Sequence, residues 1–167
     1  MQPLRFTCRA TMDKSATAIC AAIADVSRWH EFAGYGPLPG IASADYERRI
    51  TNMVGSRIRV HNTDGSTHVE EITAWEPGVQ VALWLGDFTP PLCHLASHFT
   101  EEWSFASDNG ITQVRRSFAL FPKHAVTRPL LWLIAQLFRR AIARHLANIA
   151  QAIPEDEENA ISSTNKG

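Results

Sequence analysis

Four side chains of this sequence are of the kinds that move protons or hold oxygen, and the patterns around them turn them toward apolar surface: Glu71, Glu101, Arg116 and His145. A carboxylate among apolar neighbours has its charged form disfavoured and becomes a general base near neutral pH. Beside an arginine it instead orients a polar group of a ligand, or simply pairs across two strands. Of the two glutamates, Glu71 has no cationic partner in the expected pairing and is the candidate base. His145 lies within an apolar helical stripe, where an imidazole either donates to a ligand oxygen, exchanges a proton, or bonds one core neighbour. The other histidines form two loose pairs, His61 with His68 and His94 with His98, and neither has a third ligand at metal spacing. Nucleophile elbows, phosphate loops and dinucleotide fingerprints are absent from the sequence. No metal and no cofactor is implied.

These residues need strands and one helix to position them. Leu4 to Thr11 alternates apolar and polar residues and reads as a strand. Ser15 and Ser27 each suit the N-cap of a short helix. A glycine and proline loop over 34–40 follows, then strand patterns near 41–51, 56–63, 67–76, 79–87, 95–106 and 111–121. Short turns join all of these except at the longer loop 86–94, which favours an antiparallel sheet.

Two turns set an expected register. A two-residue Asp64-Gly65 loop pairs Val60 with Val69 and Ile58 with Glu71, and turns Ile58, Val60, Val69, Glu71, Thr73 and Trp75 inward, with His61 and His68 outward. A one-residue slip would exchange the two faces. A loop over 107–110 pairs Phe105 with Thr112, Trp103 with Val114, Glu101 with Arg116 and Phe99 with Phe118, and sets Glu102 against Arg115.

The final element reads as one helix over Pro129–Ile153. Its second half is amphipathic, with Ile142, His145, Leu146 and Ile149 on one stripe and Arg139, Arg140 and Arg144 opposite. Its first half, P-L-L-W-L-I-A-Q-L-F, is apolar nearly all round. A membrane span is excluded because the run stops at Arg139 and Arg140, short of ~20 apolar residues. Core packing, a homodimer contact, an interfacial membrane helix and a lid over an apolar cavity are the explanations that remain.

Composition narrows the class. The chain has 167 residues, 45% hydrophobic and 20% charged, with a net charge of −1, which suits one globular domain over 1–153. Without a basic footprint it is not expected to bind nucleic acid. The first residues lack a signal-peptide core, so the expectation is a cytoplasmic protein. Cys8, Cys20 and Cys93 show no C-x-x-C spacing and read as reduced thiols, with Cys20 in the core. Residues 154–167 are acidic and polar and read as a disordered tail.

The order strand, two short helices, six strands, long helix resembles the START-like, or SRPBCC, superfamily with its helix-grip fold. Local sequence carries the same resemblance: Asp25, Trp29 and Phe32 in A-D-V-S-R-W-H-E-F, the W-E-P-G turn at 75–78, Trp103 with Phe105, and G-I-T-Q-V at 110–114. Within the superfamily the chain looks most like the polyketide cyclase/dehydrase-like group. The resemblance implies an α+β fold in which a seven-stranded curved antiparallel sheet wraps the C-terminal helix around a cavity for a small hydrophobic ligand. On that expectation Trp75, Phe99, Glu101, Trp103, Arg116, Phe118, Leu131, Trp132, Ala135, Phe138 and Ile142 line the cavity. Three functions of different class follow: binding of a lipid, polyketide or polycyclic aromatic; a cofactor-independent cyclase, dehydratase or isomerase using Glu71 or His145; and a co-chaperone-like interaction module.

Overall fold

A computed structural model describes residues 1–152. Ile153 and the expected tail over 154–167 lie outside the described residues. Seven strands form one antiparallel sheet: β1 (Leu4–Met12), β2 (Ile41–Arg48), β3 (Arg57–Asn62), β4 (Thr67–Glu76), β5 (Gln80–Gly86), β6 (Ala96–Asp108) and β7 (Ile111–Pro122). Their spatial order is β1-β7-β6-β5-β4-β3-β2, so every neighbour is a hairpin partner except at the β1–β7 seam. With the long helix α2 (Arg128–Gln151) across it, this is the helix-grip arrangement.

Between β1 and β2 the chain forms α1 (Ala16–Ala24) and a 3-10 turn over Val26–Glu31. Ser15 caps α1, its hydroxyl accepting from the Ala18 amide at 3.1 Å. The second cap is Asp25 rather than Ser27. Its carboxylate accepts from the Ser27 amide at 3.2 Å and from the Ser27 hydroxyl at 2.5 Å. The Trp29 indole donates to the Ile23 carbonyl at 3.0 Å, and Tyr46 on β2 donates to the Ala24 carbonyl at 2.9 Å. The first bond ties the 3-10 turn to α1, and the second fixes the segment against the edge of the sheet.

Turn chemistry decides both hairpin registers, and both differ from expectation. Between β3 and β4 the loop has three residues, Thr63, Asp64 and Gly65, because the Asn62 amide donates to Ser66 and the Gly65 amide donates to Asn62. Gly65 takes a φ of 85°, a conformation glycine adopts without penalty. Asp64 accepts from the Ser66 amide and hydroxyl, and these bonds hold its carboxyl below the ordinary range. The extra residue moves the register by one: Ile58 faces Glu70, Arg57 faces Glu71 and Val60 faces His68. Period two then exchanges the faces, so His68 and Glu70 turn inward while Val69 and Glu71 turn out. Thr73, also expected inward, is exposed at an irregularity between Ile72 and Ala74.

Between β6 and β7 the loop is the two-residue Asn109-Gly110, with φ of 51° and 82°. The register moves by two, which preserves faces: Trp103 lies opposite Arg116, Glu101 opposite Phe118, and Phe99 opposite Leu120. Glu102 faces Ser117, not Arg115.

Helix α2 packs chiefly on β1 and β7. Phe6, Phe118 and Phe138 form the centre of that seam, with ring centroids 4.7–5.6 Å apart. Leu131, Ala135 and Leu146 are buried along the helix. Cys8 and Cys20 are buried free thiols whose pKa values burial raises, and Cys93 is half-buried.

Candidate functional site

Because α2 covers mainly the β1–β7 end of the sheet, the concave face over β3 to β6 is left open beneath α1, the 3-10 turn and the loops. A cavity of about 700 Å³ fills this space. That volume suits a drug-sized ligand. Leu83 and Leu85 on β5, Phe99 and Trp103 on β6, and Ile134, Phe138, Ile142 and Ile149 on α2 supply most of the apolar wall, with Phe32 and Ile23 closing one side. Loop 86–94 closes another. Thr89 pins it to the start of β4, accepting from the Thr67 amide at 2.8 Å and donating to the Thr67 carbonyl at 3.2 Å. So held, Phe88 packs on Phe99 at 4.9 Å and joins the lining.

Two polar groups interrupt this wall. The first crosses from sheet to helix. The Arg116 Nε donates to Glu101 Oε1 at 2.5 Å, and the Trp103 indole donates to the same oxygen at 2.5 Å. The Arg116 guanidinium lies over the Trp103 ring at 4.3 Å and sends Nη1 to His145 Nδ1 at 3.1 Å. Since arginine can only donate, Nδ1 of His145 accepts, and the ring proton sits on Nε2. Burial and the adjacent Arg116 charge push the His145 pKa down to about 3. At neutral pH the side chain is therefore an uncharged N–H donor. Nε2 has no protein partner, and among the described residues no fully buried side-chain nitrogen or oxygen lacks one, so this donor faces open space. Burial pushes the Glu101 carboxyl up; Arg116 pulls against that rise, and Glu70 adds to it.

The second group is formed by Asn62, His68 and Glu70, all of which line the cavity. The Asn62 amide nitrogen lies 3.3 Å from His68 Nδ1, and His68 Nε2 lies 3.1 Å from Glu70 Oε1. With Asn62 donating, the same tautomer logic places the His68 proton on Nε2, shared with Glu70. Glu70 is 6% exposed, and among the described residues its second oxygen has no hydrogen-bond partner. Among the described residues no cluster of three or more His, Cys, Asp or Glu side chains has metal-binding geometry.

Residues 3–154 match the family described as polyketide cyclase/dehydrase and lipid transport. The chain belongs to that family. No functionally curated protein matches the sequence. Solved structures share the fold of this cyclase and lipid-transport family at low identity. The Zhui aromatase/cyclase from Streptomyces sp. R1128 superposes with a TM-score of 0.69 at 14% identity, over 89% of this chain and 94% of that one. A START superfamily protein from Mycobacterium smegmatis gives 0.68 at 12% identity, over 88% and 97%. The di-domain aromatase/cyclase BexL from the BE-7585A biosynthetic pathway gives 0.66 at 18%, over 92% of this chain and 52% of that protein.

In this member of the polyketide cyclase/dehydrase family the residues expected at the site divide into three groups. Phe99, Glu101, Trp103, Arg116, Phe138, Ile142 and His145 line the cavity. Trp75, Phe118, Leu131 and Ala135 do not: Phe118 is in the helix–sheet seam, Leu131 and Ala135 are buried along the helix, and Trp75 packs on the core beyond the β4 irregularity. Glu71 and Trp132 are corrected outright. Glu71 faces the outer side, opposite Trp84, and Trp132 is 53% exposed on the far side of α2. The single register step that removed Glu71 brought in Glu70 and His68. The spacing N-T-D-G-S was the available signal, since a glycine three residues after asparagine suits a three-residue hairpin loop.

The helix residues that line the cavity are not confined to its apolar first half. Ile134, Phe138, Ile142, His145 and Ile149 follow one line along the cavity.

Proposed function

We propose that this protein binds a small, mainly apolar molecule carrying a hydrogen-bonding oxygen, held between the concave sheet and α2. The observation that carries this reading is the cavity of about 700 Å³, whose apolar wall is broken by two pre-assembled polar groups. Apolar area supplies affinity, and the fixed donor at His145 supplies orientation. An acceptor oxygen such as a carbonyl suits Nε2–H, and a hydroxyl or other acidic hydrogen suits the carboxylate of Glu70. Family membership supports the same reading.

A second reading is favoured by the placement of Glu70. A carboxylate in an apolar cavity takes a proton from a carbon next to a carbonyl, while a neutral imidazole N–H polarises that carbonyl oxygen. This is the pairing that a cyclase or dehydratase acting on a polyketide needs, with Glu70 in the role expected of Glu71. The proton leaves carbon with its electron pair shifting into the carbonyl, and the enolate oxygen is held by His145.

Titration of the neutral fluorophore N-phenyl-1-naphthylamine against wild type and Ile149→Trp tests the first reading. The larger ring occupies the cavity, so affinity is expected to fall by tenfold or more; equal binding by both proteins would overturn it. Native mass spectrometry of the purified protein identifies any ligand retained. For the second reading, turnover of an aromatic-precursor polyketide is expected to disappear in Glu70→Gln and persist in Glu71→Gln. Unchanged turnover in both Glu70→Gln and His145→Asn removes the acid–base assignment.

A further inference from the structure

Three exposed apolar residues lie on the first turns of α2, on the side turned away from the sheet: Leu130, Trp132 and Leu133 are 50%, 53% and 51% exposed. Val126, on the turn just before the helix, is 85% exposed. Isolated exposed apolar residues need no explanation, but four within eight residues on one end of one helix form a patch. Nothing in the cavity or the helix–sheet seam uses them.

The charge along this helix is of one sign. From Lys123 to Gln151 the chain has five Lys and Arg and no Asp or Glu. Lys123, Arg139, Arg140 and Arg144 are exposed, and among the described residues none of them is in an ion pair. Arg140 and Arg144 follow Leu133 at seven and eleven residues, so they continue the same outward face. A face that is apolar with a tryptophan at one end and cationic along the rest matches the depth profile of an anionic bilayer surface. Leucine and tryptophan enter the headgroup region, and arginine stays at the phosphates.

We propose that this outward face of α2 docks on an anionic lipid surface. A second copy of the chain is a poorer occupant. An isologous contact would set cationic helix against cationic helix with no carboxylate on either to pair with them. The geometry also relates this face to the cavity. Ile134 and Phe138, on the same turns as Leu133 and Leu137, line it, so the docking face and part of the cavity wall share these turns of α2. The docking face stands whether or not the cavity holds a ligand.

Flotation of the full chain tests this, using vesicles of phosphatidylcholine alone and with about a third phosphatidylglycerol. Wild type is expected to float with the anionic vesicles, to float less as salt rises, and to stay down with phosphatidylcholine alone. Leu133→Glu and the double variant Arg140→Gln/Arg144→Gln are each expected to lower partitioning by roughly tenfold or more. Both should keep wild-type thermal midpoints and N-phenyl-1-naphthylamine affinity, which separates failure of docking from failure of the cavity. In wild type, brominated lipid should quench a fluorescence component that is missing in Trp132→Phe, a reading that does not depend on the charged variants folding. Absence of flotation with anionic vesicles overturns the proposal, as does equal flotation of wild type and variants. A wild-type dimer in analytical ultracentrifugation that Leu133→Glu dissociates would assign the face to a second copy instead.

Discussion

Replacing His145 with asparagine should flatten the acid limb of the stability curve by an amount that the structure sets. In the folded chain the imidazole pKa is lowered from 6.5 to about 3, first by burial and then by the Arg116 charge. The unfolded chain binds a proton near pH 6.5 that the folded chain refuses, so this residue makes stability fall as pH drops from about 7 toward 3. At about 1.4 kcal/mol per pH unit, a slope reached only below the unfolded pKa of 6.5, the loss between pH 7 and pH 5 is roughly 2 kcal/mol, with protonation of the folded state negligible throughout that interval. Asparagine keeps an acceptor for Arg116 Nη1 and has no titrating ring. Urea unfolding of both proteins at the two pH values measures the difference of differences. His98, which burial also lowers, contributes equally to both and cancels. A wild-type loss exceeding that of His145→Asn by about 2 kcal/mol supports the buried, neutral imidazole. A difference below about 0.5 kcal/mol, or an NMR titration of the His145 ring with a midpoint near 6.5, refutes the Arg116–His145 arrangement.

Three further outcomes follow from the same geometry. Arg116→Leu leaves the Glu101 carboxyl buried without its cation and should cost about 3 kcal/mol or more in urea unfolding, while Glu101→Leu/Arg116→Leu should recover much of that loss. Gly86→Ala should destabilise by about 1–3 kcal/mol in thermal unfolding, because the new Cβ would stand 2.0 Å from the Trp84 ring; Trp84→Ala in the same chain should remove the effect. Two adjacent helix residues should behave oppositely: Leu131→Ala, at a fully buried position, is expected to cost about 2–5 kcal/mol by chemical denaturation, and Trp132→Ala about 0.5 kcal/mol or less.

The polar groups show where local pattern reaches its limit. Glu101, Arg116 and His145 could be brought together from strand parity and a helical wheel, because the error in the β6–β7 turn was two residues and parity survives an even shift. Glu70 and His68 could not, because the β3–β4 turn was one residue longer than assumed and an odd shift exchanges the faces. Sequence pattern alone counts Trp132 with the cavity wall, since a stretch apolar on every side gives no hint of which side the sheet covers. The buried placement of Cys20 agrees with expectation, its helix being short, capped and apolar on the face turned to the core.

Element order, strand parity, the amphipathic second half of α2 and the family resemblance were all legible in the chain, because each depends on residues a few positions apart or on their succession. The position of the cavity was decided in three dimensions. It depends on α2 lying over β1 and β7 and leaving β3 to β6 uncovered, a choice made where Phe6 meets Phe118 and Phe138, each more than a hundred positions away from it. The state of His145 was decided in the same way. A histidine in an apolar stripe is compatible with several protonation states, and only the Arg116 guanidinium at 3.1 Å fixes it as a neutral donor.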